Sequence, residues 1–229
     1  VGNNNTLFMH VYTIPSENLI RNYFNDEQTS IGDLINKILE MKKDTFLPIT
    51  FQEISAITVL KVTDAMKTFS YLLTRAEGES ELDLMEKLLE KIKNRSIDLK
   101  SSNKITVNGF NYLFPMINIA LERNRIKSTE LSGANLNYSY ELKLKAPFRE
   151  YAYSVGLCKY YDMDMDKAFI NIDISYLRRL MLMDSYIIAK LYFLQLYRKT
   201  TWIDDFEKVN EYLNIQFTKN MEFLLTHNE

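Results

Sequence analysis

Ile105-Thr106-Val107-Asn108-Gly109-Phe110-Asn111-Tyr112-Leu113-Phe114 breaks from helical to alternating spacing near the middle of the chain. Ile105 and Val107 stand two residues apart, and Phe110, Tyr112 and Phe114 resume the same spacing after Asn108-Gly109. Residues two apart share one face of a strand, and Asn-Gly tolerates the two positive φ angles of a type I′ turn. The stretch therefore reads as a β-hairpin. Ile117, Ile119 and Leu121 prolong its second arm past Pro115, and Tyr138, Tyr140, Leu142 and Leu144 alternate with Ser139, Glu141 and Lys143 as a further strand. Residues 127–137, rich in Ser, Thr, Gly and Asn, form the polar loop between them.

Upstream the spacing is helical. Ser80-Glu81-Leu82-Asp83 has the form of a capping box, and Leu82, Met85, Leu88, Leu89 and Ile92 make one apolar stripe behind it. Ser30-Ile31-Gly32-Asp33 opens a helix over Ile31–Lys42 in the same way, with Leu34, Ile35, Ile38 and Leu39 on its apolar face. Residues 49–62 are β-branched at Ile54, Ile57, Thr58, Val59 and Val62 and read as extended. Thr63 or Asp64 then caps a helix through Ala65, Phe69, Leu72 and Leu73, interrupted by Gly78. Downstream, Pro147 suits the first turn of a helix that carries Phe148, Tyr151, Ala152 and Val155 and ends near Gly156. Residues 169–174 alternate as a strand, residues 185–199 read as a long helix, and two shorter helices follow over residues 204–213 and from Thr218 through Leu225.

With 229 residues, the chain is long enough for two small domains that each bury a core. A hydrophobic content of 46% with 13 Phe and 15 Tyr excludes disorder. The single cysteine, Cys158, allows no internal disulfide, and no apolar run approaches the ~20 residues of a membrane span, so the expected compartment is cytoplasmic. Val1-Gly2-Asn3-Asn4-Asn5 has neither an initiating Met nor a signal pattern and reads either as a cloning remnant or as a cut point with sequence missing upstream. A net charge of −2 gives no general attraction to polyanions, so any affinity for nucleic acid has to reside in local clusters.

Catalytic chemistry has no visible carrier. His10 and His227 lie near opposite ends and pair with Cys158 at no metal-ligand or nucleophile spacing, and the six glycines fit no phosphate-binding loop. Asp162-Met163-Asp164-Met165-Asp166 lacks the glycine and terminal glutamate of a calcium loop and reads as a solvated acidic segment. The tyrosines at 151, 153, 160, 161, 186, 192 and 197 fit core spacing better than a base-stacking platform. What remains is charge. Lys87, Lys91, Lys93, Arg95, Lys100 and Lys104 run from the end of one helix into the hairpin against Glu90 and Asp98. Cations so placed either anchor phosphates or are a solvated helix end that satisfies the macrodipole.

Helices, hairpin, strand and helix, then strand and long helix, is the order that one winged helix after another produces. The segment Ser185-Tyr186-Ile187-Ile188-Ala189-Lys190-Leu191-Tyr192-Phe193-Leu194-Gln195-Leu196-Tyr197-Arg198-Lys199 adds a local likeness. On these features the chain resembles the theta-type plasmid replication initiators (Rep proteins), whose second domain opens on a helix with a similar tyrosine, a basic residue, Leu-Tyr and a terminal aromatic-basic pair. Trp202-Ile203-Asp204-Asp205-Phe206 through Leu213-Asn214-Ile215 is similar to their next helix, and the likeness spans residues 65–225.

The resemblance implies an α+β fold of two winged-helix-like domains, helix-rich with small antiparallel sheets. Residues 1–28 would be an N-terminal extension, residues 29–156 the first domain, and residues 157–229 a second that stops before its wing. It also implies a sequence-specific protein that binds double-stranded DNA repeats, recruits replication proteins and dimerises, with no metal, cofactor or catalytic residue. Arg198, Lys199 and Lys219 would then anchor phosphates, and Asn220 would read an adenine edge. The chain departs from the family at Glu79-Ser80-Glu81-Leu82-Asp83, acidic where a recognition helix is basic. The competing reading is a non-enzymatic protein-interaction module, such as a regulatory, phage or viral accessory factor, with an exposed apolar surface. An enzyme of unrecognised type ranks behind both.

Overall fold

Residues 6–15 set Leu7, Met9 and Val11 on one parity and Phe8, His10 and Tyr12 on the other, and all six except half-buried His10 are buried. A strand covered on both faces belongs inside a sheet. In the computed structural model, which describes residues 5–131, 139–144, 146–158, 173–200 and 205–226, this segment is β1 (Thr6–Pro15), the middle strand of five. The order is β3-β2-β1-β4-β5. β2 (Gln52–Val62) runs antiparallel to β1, from Thr6 opposite Val62 to Pro15 opposite Gln52, with one irregularity between Tyr12 and Thr13. β3 (Thr68–Thr74) returns antiparallel to β2, whereas β4 (Asn103–Thr106) lies parallel to β1 and β5 (Ser139–Glu141) parallel to β4.

The two parities of β1 meet different helices. Leu7, Met9 and Val11 pack in a core with Met85 and Leu88 of α3 (Glu81–Lys93) and with Met116, Ile117 and Ala120 of α4 (Phe114–Arg123). On the other face, Phe8 joins Leu182, Tyr186 and Ile187 of α6 (Ile174–Lys199) and Leu213 of α7 (Phe206–Thr226). Tyr12 packs with Leu177 and Met181 of α6. Between β1 and β2 the chain makes α1 (Glu17–Phe24) and α2 (Ile31–Lys42), whose own small core is Ile20, Leu34, Ile38 and Phe51. α5 (Phe148–Ser154) supplies Ala152 to the α6 side.

Mixed helix and sheet is what the sequence predicts, but the arrangement differs from a pair of winged helices with small antiparallel sheets. Among the described residues the strands form one five-stranded mixed sheet. Residues 6–15, expected in an extension, form its central strand, and residues on both sides of Gly156 enter one core, Phe8 and Leu60 beside Leu182 and Leu213.

The expected hairpin at Asn108-Gly109 is absent because β4 ends at Thr106. A π-helical turn (Gly109–Leu113) then leads into α4, with Pro115 in its first turn. Asn108 does take a positive φ of 53°, but as the lead into a helix. Leu113, Met116, Ile117, Ala120 and Leu121 are buried at helical spacing, which outweighs the alternation that two-residue spacing suggested. Gly109 is there for clearance: a Cβ would lie 2.1 Å from Thr106 Oγ1.

The helix expected over residues 63–73 is instead a tight turn with Met66 at φ 59° followed by β3, where Phe69, Tyr71 and Leu73 alternate with Thr68, Ser70 and Leu72 beside a pairing partner. α6 starts at Ile174, eleven residues before the predicted start, so Ile174 ends no strand, and the rest of that expected strand lies outside the described residues. One continuous helix, α7, replaces the last two. The capping-box helices and the helix at Pro147 form as read, and the Ser80 box has both reciprocal bonds in place.

Candidate functional site

The last turn of α3 carries Lys91 and Lys93, and the chain then turns sharply at Arg95, whose φ of 59° is left-handed. The Ile97 amide donates back to the Lys91 carbonyl (3.0 Å), which seats Ile97 and Leu99 in the core. Asp98 fixes the next turn by accepting from the amides of Lys100 (3.0 Å) and Ser101 (3.1 Å) and from the Ser101 hydroxyl. These bonds, the hydroxyl's foremost, hold its carboxyl below the usual aspartate range. The result is a depression of about 600 Å³ with Ile92, Ile97 and Leu99 at its base and exposed Lys93, Arg95 and Lys100 around it, together with Asp98, Ser101 and Glu130.

Other residues singled out from the sequence are elsewhere or engaged. Lys104 is 4% exposed and its Nζ donates to the carbonyls of Leu99 (2.7 Å) and Ser102 (3.2 Å), so it braces the loop from inside and cannot reach a phosphate. Burial lowers its pKa accordingly. Lys87 donates to Glu79 (2.5 Å) and to the Thr74 carbonyl (3.2 Å). Arg198 and Lys199 are exposed at the end of α6, where Lys199 Nζ lies 3.4 Å from the Tyr140 hydroxyl, and Lys219 is exposed on α7. Asn220 reads no base edge from where it sits, because its Nδ2 donates to the Tyr186 hydroxyl (2.7 Å) and more weakly to Ser70 Oγ (3.4 Å). Of the ten residues, then, Lys93, Arg95 and Lys100 line one depression, and half-buried Lys91, on the same last turn of α3, does not. The acidic segment at residues 162–166 lies outside the described residues.

A second constellation escapes sequence reading because its members are far apart. Asp184 on α6 is fully buried. Arg149 of α5 grips it with two parallel bonds, Nε to Oδ1 (2.9 Å) and Nη2 to Oδ2 (2.5 Å), and the Tyr12 hydroxyl donates to Oδ2 (2.5 Å). His10, one alternation along β1, stacks edge-on against Tyr12 (4.9 Å) and Phe148 (5.5 Å). Burial lowers its pKa to about 4, Asp184 opposing and Arg149 adding to the shift, so the imidazole is neutral at pH 7.

This cluster has the residue types of an acid-base site without the freedom of one. A general base needs an unengaged lone pair near the reacting proton. Asp184 is already bound by a guanidinium fork and a phenol, and an imidazole that titrates near 4 is a weak base. A divalent cation would need several oxygen or nitrogen donors, and among the described residues no group of three or more His, Cys, Asp or Glu is placed to hold one. Lys190, also buried, ties α6 to α7 through Asn214 Oδ1 (2.6 Å). Among the described residues, no helix is long and apolar enough to cross a membrane. Compared with protein-family models, with curated proteins and with solved structures, the chain matches none of them.

Proposed function

We propose that the chain is a non-catalytic protein that binds duplex DNA through its phosphates at the corner where α3 ends. The observation that carries this reading is the placement of Lys93, Arg95 and Lys100, all exposed, around one depression whose walls are held by the Asp98 turn and by Lys104 from within. A loop so braced fixes the backbone from which these cations extend, and guanidinium and ammonium groups meet phosphate oxygens directly. Contacts of this kind position a protein on DNA and carry little sequence information. The binding is therefore of low selectivity. The absence of catalysis in this reading rests on Asp184, the most buried carboxylate beside the central strand, being consumed by Arg149 and Tyr12.

The test is a duplex titration at two salt concentrations with the wild type and the combined Lys93→Ala, Arg95→Ala and Lys100→Ala variant. Affinity falls in the variant, and the magnitude of the log-log salt slope drops by about 0.9 for each phosphate contact removed. The unfolding midpoint barely moves, since exposed side chains away from special features contribute within about 0.5 kcal/mol. A wild type that ignores duplex DNA at low salt, or a variant with unchanged affinity and slope, removes the assignment.

A further inference from the structure

β3 and α7 border a groove of about 390 Å³ that touches residues 68–72 of β3, Arg178 of α6, and Phe223 and Leu224 of α7. Successive residues of a strand point to opposite faces, so a cavity that meets five in a row runs along the strand's edge. β3 pairs with β2 on one side and, among the described residues, with no strand on the other. Amides and carbonyls of that edge therefore face the groove.

Native sheets guard their edges with charge, proline, a bulge or brevity. The far edge obeys: β5 is three residues long. β3 has seven, Thr68-Phe69-Ser70-Tyr71-Leu72-Leu73-Thr74, with no charge and no proline, and its register with β2 runs without a break. Large apolar groups border it: Phe223 is 60% exposed, and Phe69, with Lys61 Nζ 5.5 Å from its ring centroid, 46%. Arg178 is the groove's ionic group among the described residues, and none of them gives it an ion pair or a hydrogen bond. Among the described residues, an edge strand free of charge and proline, an apolar wall and a guanidinium without an ion pair converge on one kind of guest.

We propose that this groove captures an extended peptide of another protein as a sixth strand, with an apolar side chain against Phe223 and Leu224 and a carboxylate on Arg178. Main-chain bonds to β3 supply affinity, and alternate side chains supply selectivity. A second copy of this chain fits less well. Residues 67–75 contain no acid for Arg178, and two β3 edges paired about Tyr71 would set Lys67 at both ends against an Arg75 whose guanidinium is already tied to Glu53 (3.0 Å). Like charges directly opposed destabilise a strand pair.

The experiment is selection of a random heptapeptide library displayed on phage against the immobilised full chain, followed by fluorescence anisotropy with the synthesised winners. Selected peptides alternate β-branched with other residues and carry an Asp or Glu. Changing that acid to lysine weakens binding about tenfold or more, the scale of one charge-assisted hydrogen bond. Arg178→Glu, checked for folding by its thermal transition, reverses the preference and selects lysine. Methylating alternate peptide amides abolishes binding in one of the two registers. Three outcomes overturn the proposal: no enrichment; acid and lysine peptides that bind alike to both proteins; or a dimer by sedimentation that Ser70→Pro dissociates, which assigns the edge to a second copy.

Discussion

Glu81 and Asp184 are buried carboxylates on opposite sides of the sheet, each held by an arginine, and they differ in what else holds them. Glu81 is the first residue of α3, where the helix macrodipole favours a negative charge, and it accepts from the Ile54 amide (2.8 Å), Asn124 Nδ2 (2.9 Å) and Arg123 Nη1 (3.1 Å). Asp184 sits inside α6, away from either terminus, and its cationic partner is Arg149 on the seven-residue α5. On the α3 side the guanidinium adds one bond to those of a backbone amide and a carboxamide, whereas on the α6 side it adds two beside that of the Tyr12 hydroxyl. What a buried pair contributes depends on the other donors that reach the carboxylate, more than on its own distance.

Replacing the arginine on the α6 side tests this most severely. Arg149→Met takes both guanidinium bonds from buried Asp184, and loss of one partner of a buried pair destabilises by about 3–5 kcal/mol. Arg149→Met combined with Asp184→Leu removes the buried charge as well and recovers most of that loss, because an apolar pair of similar volume is often neutral. Urea unfolding of the three proteins measures both steps. A double variant as unstable as the single one would show that Asp184 does more than balance Arg149.

Next in size is the pH response of His10, which has no counterpart beside Glu81. Its folded pKa of about 4 lies below the ordinary 6.5, so the unfolded state takes up the proton first as pH falls. The contribution to stability is complete above pH 6.5 and is lost as pH drops toward about 4. Its scale is on the order of 2–3 kcal/mol across that window. His10→Gln flattens this part of the stability curve, as denaturant midpoints taken from pH 7 to pH 4 would reveal. An unchanged slope places the titration elsewhere.

The smallest effect belongs to the better-supported carboxylate. Glu81→Gln retains an oxygen for the Ile54 amide and takes away the acceptor shared by Arg123 and Asn124, a loss of about 1–2 kcal/mol. If its unfolding midpoint falls as far as that of Arg149→Met, the backbone and macrodipole supports assigned to Glu81 carry no weight.

The elements legible in the sequence are those with local punctuation. Ser30 and Ser80 announce α2 and α3 because a capping box is complete within four residues, and Pro147 announces α5 for a similar reason. β1 has no such mark. Leu7-Phe8-Met9 is apolar on both parities because both faces are covered, and nothing local distinguishes it from an extension. Asn108 carried true information, a positive φ, but that angle serves a helix lead-in as well as a hairpin.

The charges at Lys93, Arg95 and Lys100 were readable as a cluster, while the burial of Lys104 depends on two carbonyls whose placement needs the folded loop. Asp184, Tyr12 and Arg149 are brought together only by tertiary packing, Tyr12 and Asp184 from 172 positions apart.

The central place of β1 also sets a timetable for synthesis. Its first partner, β2, ends at Val62, and its second, β4, ends at Thr106. At about 5–20 residues per second, a ribosome needs on the order of 5–20 s to make the roughly 90 residues between the end of β1 and the end of β4. During that interval Leu7, Phe8, Met9 and Val11 have no complete sheet to enter. Parallel pairing to β4 is the late, non-local step that loop closure makes slow. The nascent chain is accordingly exposed to aggregation until Thr106 has left the exit tunnel, and on the Phe8 face until α6 and α7 have followed it.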